Sequence, residues 1–467
     1  MTQQRQAAAP PQSSAATRPT TVSFGEATRL WLKVGCLGFG GPAGQIALMH
    51  RLVVDERRWV GEERFLHALN YCMLLPGPEA QQLAIYLGWL MHRTAGGLVA
   101  GILFVLPGAL VMAALSLAYV WLRHFELSAG VLLGLKAAVL AIVVEAVLRI
   151  GKRALKNAWM AAIAAAAFVA IFLFQVPFPL IILGAAIVGG AGATRWPHLF
   201  AAGSHGNGGG AAKGQIDRLI ERGEAAHLRP RPGHIVRTLA VWLPLWLLPV
   251  AALLLILGPD HVLSEVALFF SQMAVVTFGG AYAVLAYVAQ EAVQGYGWLS
   301  AGEMLDGLAL AETTPGPLIL VLQFVGFLGG YHEPGALAPW LSGLLASLLT
   351  LWVTFAPCFL WIFLGAPYVE RVRSNPTLSG ALAAITAAVV GVILNLALWF
   401  AIHSIFREVR SREFGWLQVP LPVGASIDWL ALALAVAALG AMLRFKSGML
   451  WTLAGAALIG GLVHALR

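Results

Sequence analysis

The chain has 467 residues, 59% of them hydrophobic and only 11% charged. A soluble domain carries about 25% charged residues, so this composition excludes an ordinary soluble protein and fits a polytopic membrane protein. The net charge of +8 is read as Lys and Arg gathered in cytoplasmic loops. No interleaved aromatic and basic surface marks nucleic acid as a partner.

In chain order, Met1–Ser23 is rich in Gln, Ala, Pro, Ser and Thr and lacks the apolar stretch of a signal peptide. It is expected to be a disordered cytosolic tail. The next part, 24–194, predicts six apolar elements: Phe24–Met49, Glu62–His92, Gly97–Leu122, Leu127–Ile150, Ala158–Gln175 and Pro177–Thr194. A polar stretch over 195–237 contains Gly-rich Gly203–Gly210 and a charged segment, Gln215–His227. It reads as a cytoplasmic linker carrying an amphipathic helix. An extra span is expected over 238–258. The part 259–467 then predicts Leu263–Val288, Glu303–Gly330, Pro339–Pro367, Thr377–Phe406, Trp429–Leu443 and Gly448–Ala465.

The two parts repeat one another. Gly38–Gly88 and Thr277–Phe327 match without a gap at an offset of 239 residues, aligning Phe39-Gly40-Gly41 with Phe278-Gly279-Gly280, and Pro76-Gly77-Pro78 with Pro315-Gly316-Pro317. Trp59 aligns with Trp298. Further on the offset becomes 250 and Pro107 aligns with Pro357. An internal repeat governs the reading of the whole fold. Basic loops at Arg149–Lys156 and within the linker orient the chain with its amino terminus inside. The single extra span then reverses the second copy. The fold class expected is an all-α polytopic membrane protein of two inverted homologous halves with broken helices. It has about thirteen crossings, or eleven if broken elements are re-entrant. In the thirteen-crossing arrangement Arg51, Arg57, Arg58, Arg407, Arg410 and Arg412 fall on the wrong side.

Broken membrane helices repeated in two halves point to a transporter's binding site. A helix start offers unpaired N–H groups and about half a positive charge, which suits an oxyanion. Candidate substrate-binding residues are therefore Gly40, Gly41, Pro42, Pro76, Gly77, Pro78, Gly279, Gly280, Thr313, Thr314, Pro315, Gly316 and Pro317. Lys33, on one helix face with Arg29, and Lys136, deep in its segment, are candidate sources of positive potential. A charge at the bilayer centre costs about 2.5–3.5 kcal/mol on insertion scales and needs a reason. Glu79, Glu312 and Glu145 are candidate proton carriers, Glu145 also being placed to pair with Arg149 four residues on. Cys36, Cys72 and Cys358 are expected as small buried residues, and the scattered histidines have no metal-ligand spacing. No phosphate-binding Gly-rich motif is present, so no nucleotide, metal or other cofactor is expected. No nucleophile–base constellation argues for an enzyme.

These motifs carry a resemblance. Gly38-Phe39-Gly40-Gly41-Pro42, Trp59 and Leu75-Pro76-Gly77-Pro78 resemble the first half of the chromate ion transporter family. Thr277-Phe278-Gly279-Gly280 and Thr314-Pro315-Gly316-Pro317 resemble the second half. The long, two-domain form of that family is the one resembled, and it extends over nearly the whole chain. The resemblance implies antiparallel halves, export of chromate across the bacterial inner membrane driven by protons, chromate resistance, and sulfate as the competing or exchanged oxyanion. Membrane lipid surrounds such a protein, and the oligomeric state is left open, a homodimer included. One departure stands out: Ala281 replaces Pro42 in the second copy, so the helix restart there lacks its proline.

Overall fold

The computed structural model describes residues 22–122, 125–196, 214–222, 232–278, 281–368, 376–414 and 417–466. Met1–Thr21, Gly279, Gly280, Arg371, Arg373 and most of the linker, His198, His205 and His227 among it, lie outside the described residues. The helices are α1 Phe24–Leu37, α2 Gly41–His50, α3 Glu62–Cys72, α4 Glu79–Leu122, α5 Glu126–Ala154, α6 Ala158–Phe174, α7 Phe178–Arg195 and α8 Gln215–Glu221. They continue with α9 His234–Ile256, α10 Val262–Val276, α11 Ala281–Gln290, α12 Ala301–Thr313, α13 Val321–His332, α14 Pro339–Gly365, α15 Pro376–Ile405, α16 Trp429–Phe445 and α17 Met449–Ala465.

Among the described residues six helices are long and apolar enough to cross a membrane: α4, α5, α7, α9, the α14 stretch and α15. Five more are apolar but shorter, among them α6, α16 and α17 at 17 residues each. Local chemistry sets many of the ends. Asn157 caps α6 by accepting from the Met160 N–H at 2.9 Å, and Ser300 with Glu303 forms a capping box on α12. Pro107 and Pro357 sit inside α4 and α14 at equivalent positions.

The four broken elements appear where the Gly and Pro residues predict them. Their arms are short: 14 and 10 residues for α1 and α2, 11 for α3, and 15 and 10 for α10 and α11. After α2 and after α11 the chain takes an equivalent π-helical turn, Arg51–Glu56 and Glu291–Gly295. Within α4 the backbone leaves the helix at His92 and Arg93 (φ −136° and +55°). Gly88 and Gly96 then pack backbone to backbone across that corner, so a short first leg runs beside a long second one.

End-to-end contacts show that the broken elements turn back. His92 Nε2 donates to Val22 O at 2.8 Å, placing the start of α1 beside the corner of α4. His234 Nε2 donates to Phe363 O at 2.8 Å, and the Phe363 ring packs on Gly97. The start of α9 therefore shares that level. The linker between α8 and α9 is too polar to cross a bilayer, and α8 bonds the turn between α2 and α3: Gln215 N–H to Arg58 O and Ile216 N–H to Trp59 O, each 3.0 Å. The pair α1 and α2, and the pair α3 and the first leg of α4, both leave this side and return to it. These contacts accord with the re-entrant alternative, whereas the single-crossing arrangement puts Arg51, Arg57 and Arg58 opposite the linker.

The second copy makes end contacts of its own. Helix α9 has 23 residues, about 35 Å, long enough to cross a bilayer. Gln290, ending α11, donates to Gln175 Oε1 in the α6–α7 turn at 2.8 Å. His332, ending α13, donates through Nδ1 to Trp298 O before α12 at 2.8 Å.

Two further differences from expectation concern the periphery. Strands β1 Val409–Phe414 and β2 Leu417–Pro422 pair antiparallel between α15 and α16, an addition to the expected all-α fold. Cys72 and Cys358 are buried as expected, but Cys36 is exposed.

Candidate functional site

The breaks of the two copies meet. Gly77 N–H donates to Thr277 O at 2.8 Å, and Gly316 N–H donates to Gly38 O at 3.0 Å. The offset of 239 maps Gly77 to Gly316 and Gly38 to Thr277, so the two bonds are equivalents. Gly77 and Gly316 adopt φ of +118° and +104°, which favours glycine. A Cβ on Gly77 would lie 3.0 Å from Cys358 Sγ, and one on Gly316 would lie 3.4 Å from Gly108 Cα. Gly108 and Cys358 are themselves equivalents at the offset of 250. Each Pro-Gly-Pro break thus rests on the small residue that follows the proline of the other copy's long helix.

Around this junction four helix starts line one cavity: Pro42 and Gln45 of α2, Pro78 with Glu79 and Ala80 of α4, Ala281 of α11, and Pro317 with Leu318 and Ile319 of the turn opening α13. The lining obeys the repeat, since Pro42 pairs with Ala281, Pro78 with Pro317, Glu79 with Leu318 and Ala80 with Ile319. No side chain caps α2 or the turn at Leu318, so their first N–H groups stay available to a ligand. The space open to water is about 20 Å³, room for about one water molecule. Gly40 and Gly41 take φ of +88° and +66° to start α2. Pro42 follows in the first turn, where no N–H is needed.

Among the candidates, Pro42, Pro78, Glu79 and Pro317 line the cavity itself. Pro76, Gly77, Pro315 and Gly316 stand behind it in the breaks. Gln82 Nε2 donates to Pro76 O at 2.7 Å. Thr313 and Thr314 turn their hydroxyls to Leu310 O, at 2.8 and 2.7 Å, so both serve the end of α12. Gly279 and Gly280 lie outside the described residues. Glu312 is 3% exposed and accepts from Tyr282 OH at 2.8 Å, next to Ala281.

The cationic candidates are elsewhere. Lys33 is exposed on the outer face of α1, as is Arg29. Lys136 lies 3.1 Å from Asp306 Oδ1, and Asp306 Oδ2 accepts from Tyr119 OH at 2.9 Å. This pair joins α5 and α4 of the first copy to α12 of the second, and it balances the charge of Lys136. Glu145 pairs with Arg149 as its spacing predicts, Arg149 Nε donating to Oε1 at 3.0 Å.

Two residues in this arrangement were not anticipated. Gln45 is fully buried, lines the cavity and donates through Nε2 to Gly38 O at 3.1 Å. Its position four residues after Gly41, on one helix face, is the signal that points to it. Asp306, five residues into α12, reads in sequence as an ordinary acidic residue near a helix start.

Comparison with known proteins agrees with this architecture. The sequence profile described as "Chromate transporter" matches residues 26–190 and 264–461, one stretch in each copy. A protein of Pseudomonas aeruginosa named "Chromate transport protein" is 33% identical over 384 residues, covering 80% of each chain. One of Cupriavidus metallidurans with the same name is 26% identical over 98% of each chain. A "Probable chromate transport protein" of Synechococcus elongatus is 26% identical over 79% of this chain and 83% of that one. No protein of known structure matches. The chain is a multi-pass membrane protein of two homologous halves, a transporter and not an enzyme, and it belongs to the chromate transporter family.

Proposed function

We propose that this chain is a secondary active transporter that exports chromate across the cytoplasmic membrane, driven by protons, and so confers chromate resistance. The observation that carries the reading is the convergence of four helix starts, two from each copy, on one buried cavity. Helix starts stabilise an anion with fixed dipoles and N–H donors, without a buried cation. The outlying positions of Lys33 and Lys136 accord with a cradle of that kind. The relatives bear names of chromate transport proteins.

The transport cycle follows from the same architecture. Four re-entrant pairs leave nine crossings: the second leg of α4, then α5, α6, α7, α9, α14, α15, α16 and α17. The first copy's hairpins enter from the linker side and the second's from the opposite side, an inverted arrangement that suits alternating access. The cavity has room for about one water, so it represents the closed cradle. A tetrahedral dianion requires the hairpins to part. Glu79 at the cavity and Glu312 beside it are the proton carriers in this reading, because a dianion binds poorly next to two ionised carboxylates. Each proton taken up removes a negative charge from the cradle.

Chromate flux into everted membrane vesicles tests this, measured with and without an uncoupler and with excess sulfate. Accumulation that the uncoupler abolishes and sulfate inhibits is the expected result. Flux of sulfate without flux of chromate would replace the substrate and keep the machinery. Absence of both in correctly inserted protein would refute the oxyanion reading.

A further inference from the structure

The turns that open α3 and α12 are equivalents, yet they are held by different means. In the second copy Ser300 N–H donates to Glu303 Oε2 at 2.8 Å, the reciprocal bond of a capping box. Trp298 O accepts from His332 Nδ1 at 2.8 Å, and His332 Nε2 lies 3.6 Å from Glu303 Oε1. All of these groups belong to the hairpin itself.

In the first copy Gly61 replaces Ser300 and Arg64 replaces Glu303, so α3 has no capping side chain of its own. Helix α8 of the linker supplies the reciprocal half of that box, the acceptor for the N-cap N–H, and holds the turn before it. Gly61 N–H donates to Asp217 Oδ2 at 2.7 Å, where Ser300 N–H uses Glu303. Trp59 O accepts from Ile216 N–H at 3.0 Å, where Trp298 O uses His332. Arg64 pairs with Asp217, where Glu303 pairs with His332, the charges being reversed. Arg58 takes φ +51° at the position of Gly297, φ +69°. This left-handed conformation is disfavoured for a residue with a side chain. Its carbonyl is held by Gln215 N–H at 3.0 Å. Ile216 and Asp217 are buried against this turn, 5% and 8% exposed.

We propose that Asp217 is a positioning residue for transport: from the linker it takes the place of Glu303, the reciprocal half of the capping box that the second copy carries in its own sequence. Helix α3 leads directly into Pro76-Gly77-Pro78, and Gly77 bonds Thr277 in the opposite break. The seat of α3 therefore sets the first copy's side of the cradle, and the linker segment is a working part of the hairpin. This goes beyond the identity of the substrate, because it concerns how one arm is held whatever ion the cradle takes.

The test compares Asp217→Ala, Asp217→Asn and Asp217→Ala combined with Gly61→Ser and Arg64→Glu, all in the full-length protein. The combined variant rebuilds in the first copy the Ser-x-x-Glu box of the second. Hydrogen exchange of the amides over 59–65 is read first, since it needs no transported ion. We expect exchange about 10-fold faster in Asp217→Ala, in keeping with the loss of a helix cap. The combined variant should return it to within about twofold of the parent. Chromate flux per inserted molecule should fall and recover in the same order. Asp217→Asn, which keeps the size and an acceptor oxygen, should lie between and serves if Asp217→Ala does not accumulate. Unchanged exchange in both single variants, or no recovery with the Ser and Glu in place, would overturn the proposal.

Discussion

The backbone N–H of Gly77 donates to the carbonyl of Thr277, 200 positions later, at 2.8 Å, and the equivalent bond joins Gly316 to Gly38 at 3.0 Å. A break in a membrane helix frees N–H and C=O groups that lipid cannot satisfy. Here each copy satisfies groups freed in the other, so neither pair of hairpins is complete alone. The arrangement also brings the Pro-Gly-Pro breaks to the helix starts that line the cavity, which links their packing to ion binding.

Substituting the two glycines tests that link. Alanine at Gly77 or Gly316 must adopt φ near +118° or +104°, a strain of about 1–3 kcal/mol. At Gly77 its Cβ also presses on Cys358 Sγ at 3.0 Å. Gly77→Ala and Gly316→Ala are each expected to reduce transport per inserted molecule by about 10-fold or more. Cys358→Gly, which copies the equivalent Gly108, should leave transport within about twofold. Normal flux in both alanine variants would separate the breaks from the cradle.

Gly41→Leu makes a different demand. A Cβ there meets nothing within 4 Å, but the φ of +66° disfavours any side chain. The substitution is expected to abolish transport while the protein still reaches the membrane, through strain at the start of α2 and a side chain near the ion's approach. Fluxes compared at equal membrane content decide it. Gly280→Leu is expected to behave alike from the equivalence in sequence.

Acid sensitivity outside the membrane has a local source at Asp428. Burial alone would raise its pKa, but bonds from Arg407 and from the N–H groups of Ala431 and Leu430 at the start of α16 outweigh it and hold the carboxyl below its usual range. Arg407 Nη2 lies 2.8 Å away. A depressed carboxylate contributes stability that is present above the unfolded value of about 3.9 and is lost as the pH falls through the folded one. Asp428→Ala should cost about 1 kcal/mol as a lost cap. Its melting temperature should trail the parent's at pH 7, and the gap should shrink below about pH 4. A gap independent of pH would assign the effect to packing.

Proton coupling is tested by Glu79→Gln and Glu312→Gln. Glutamine keeps the size of each side chain, and at Glu312 it keeps an acceptor for Tyr282 OH, whose bond is 2.8 Å in the parent. Both variants lose the exchangeable charge. Each is expected to retain ion binding, measured by protection of a cysteine at Pro317, and to lose the sensitivity of flux to an uncoupler. Unaltered uncoupler sensitivity in both would move proton transfer to other groups.

The breaks themselves were legible because Gly and Pro interrupt apolar runs twice at one spacing. Their folding back was legible only as one of two alternatives. Phe24–Met49 has the length and apolarity of a single span, and what shows its return is a bond between Arg58 and Gln215, 157 residues apart. Re-entry would return Arg51, Arg57 and Arg58 to the linker side, as the positive-inside rule prefers, while Arg407, Arg410 and Arg412 stay opposite. The strands β1 and β2 escaped notice because polar Arg410–Glu413 interrupts any apolar alternation. Lys136 drew attention as a lone charge in an apolar segment, but its partner Asp306 sits in the other copy, 170 positions away, with no local pattern to connect them.

That pairing changes what substitution of Lys136 reports. Asp306 is 5% exposed and Lys136 22%, so removing the lysine leaves a nearly buried carboxylate that still accepts from Tyr119 OH. Breaking a buried pair costs about 3–5 kcal/mol, and the partial exposure of Lys136 places this pair near the lower figure. Lys136→Ala should therefore reduce inserted protein and flux well below Arg29→Ala, whose side chain is exposed on α1. A lower flux alone would not assign Lys136 to the ion, because the fold suffers too. The double variant Lys136→Met with Asp306→Leu resolves this, since an apolar pair of similar volume often replaces a buried ion pair with little loss. Recovered insertion with recovered flux would make the pair a tether between the copies. Recovered insertion without flux would return Lys136 to the path of the ion, as a charge that leaves Asp306 when the anion arrives. The 3.1 Å contact and a cavity lining that includes neither residue favour the tether, so recovery of both is the expected result.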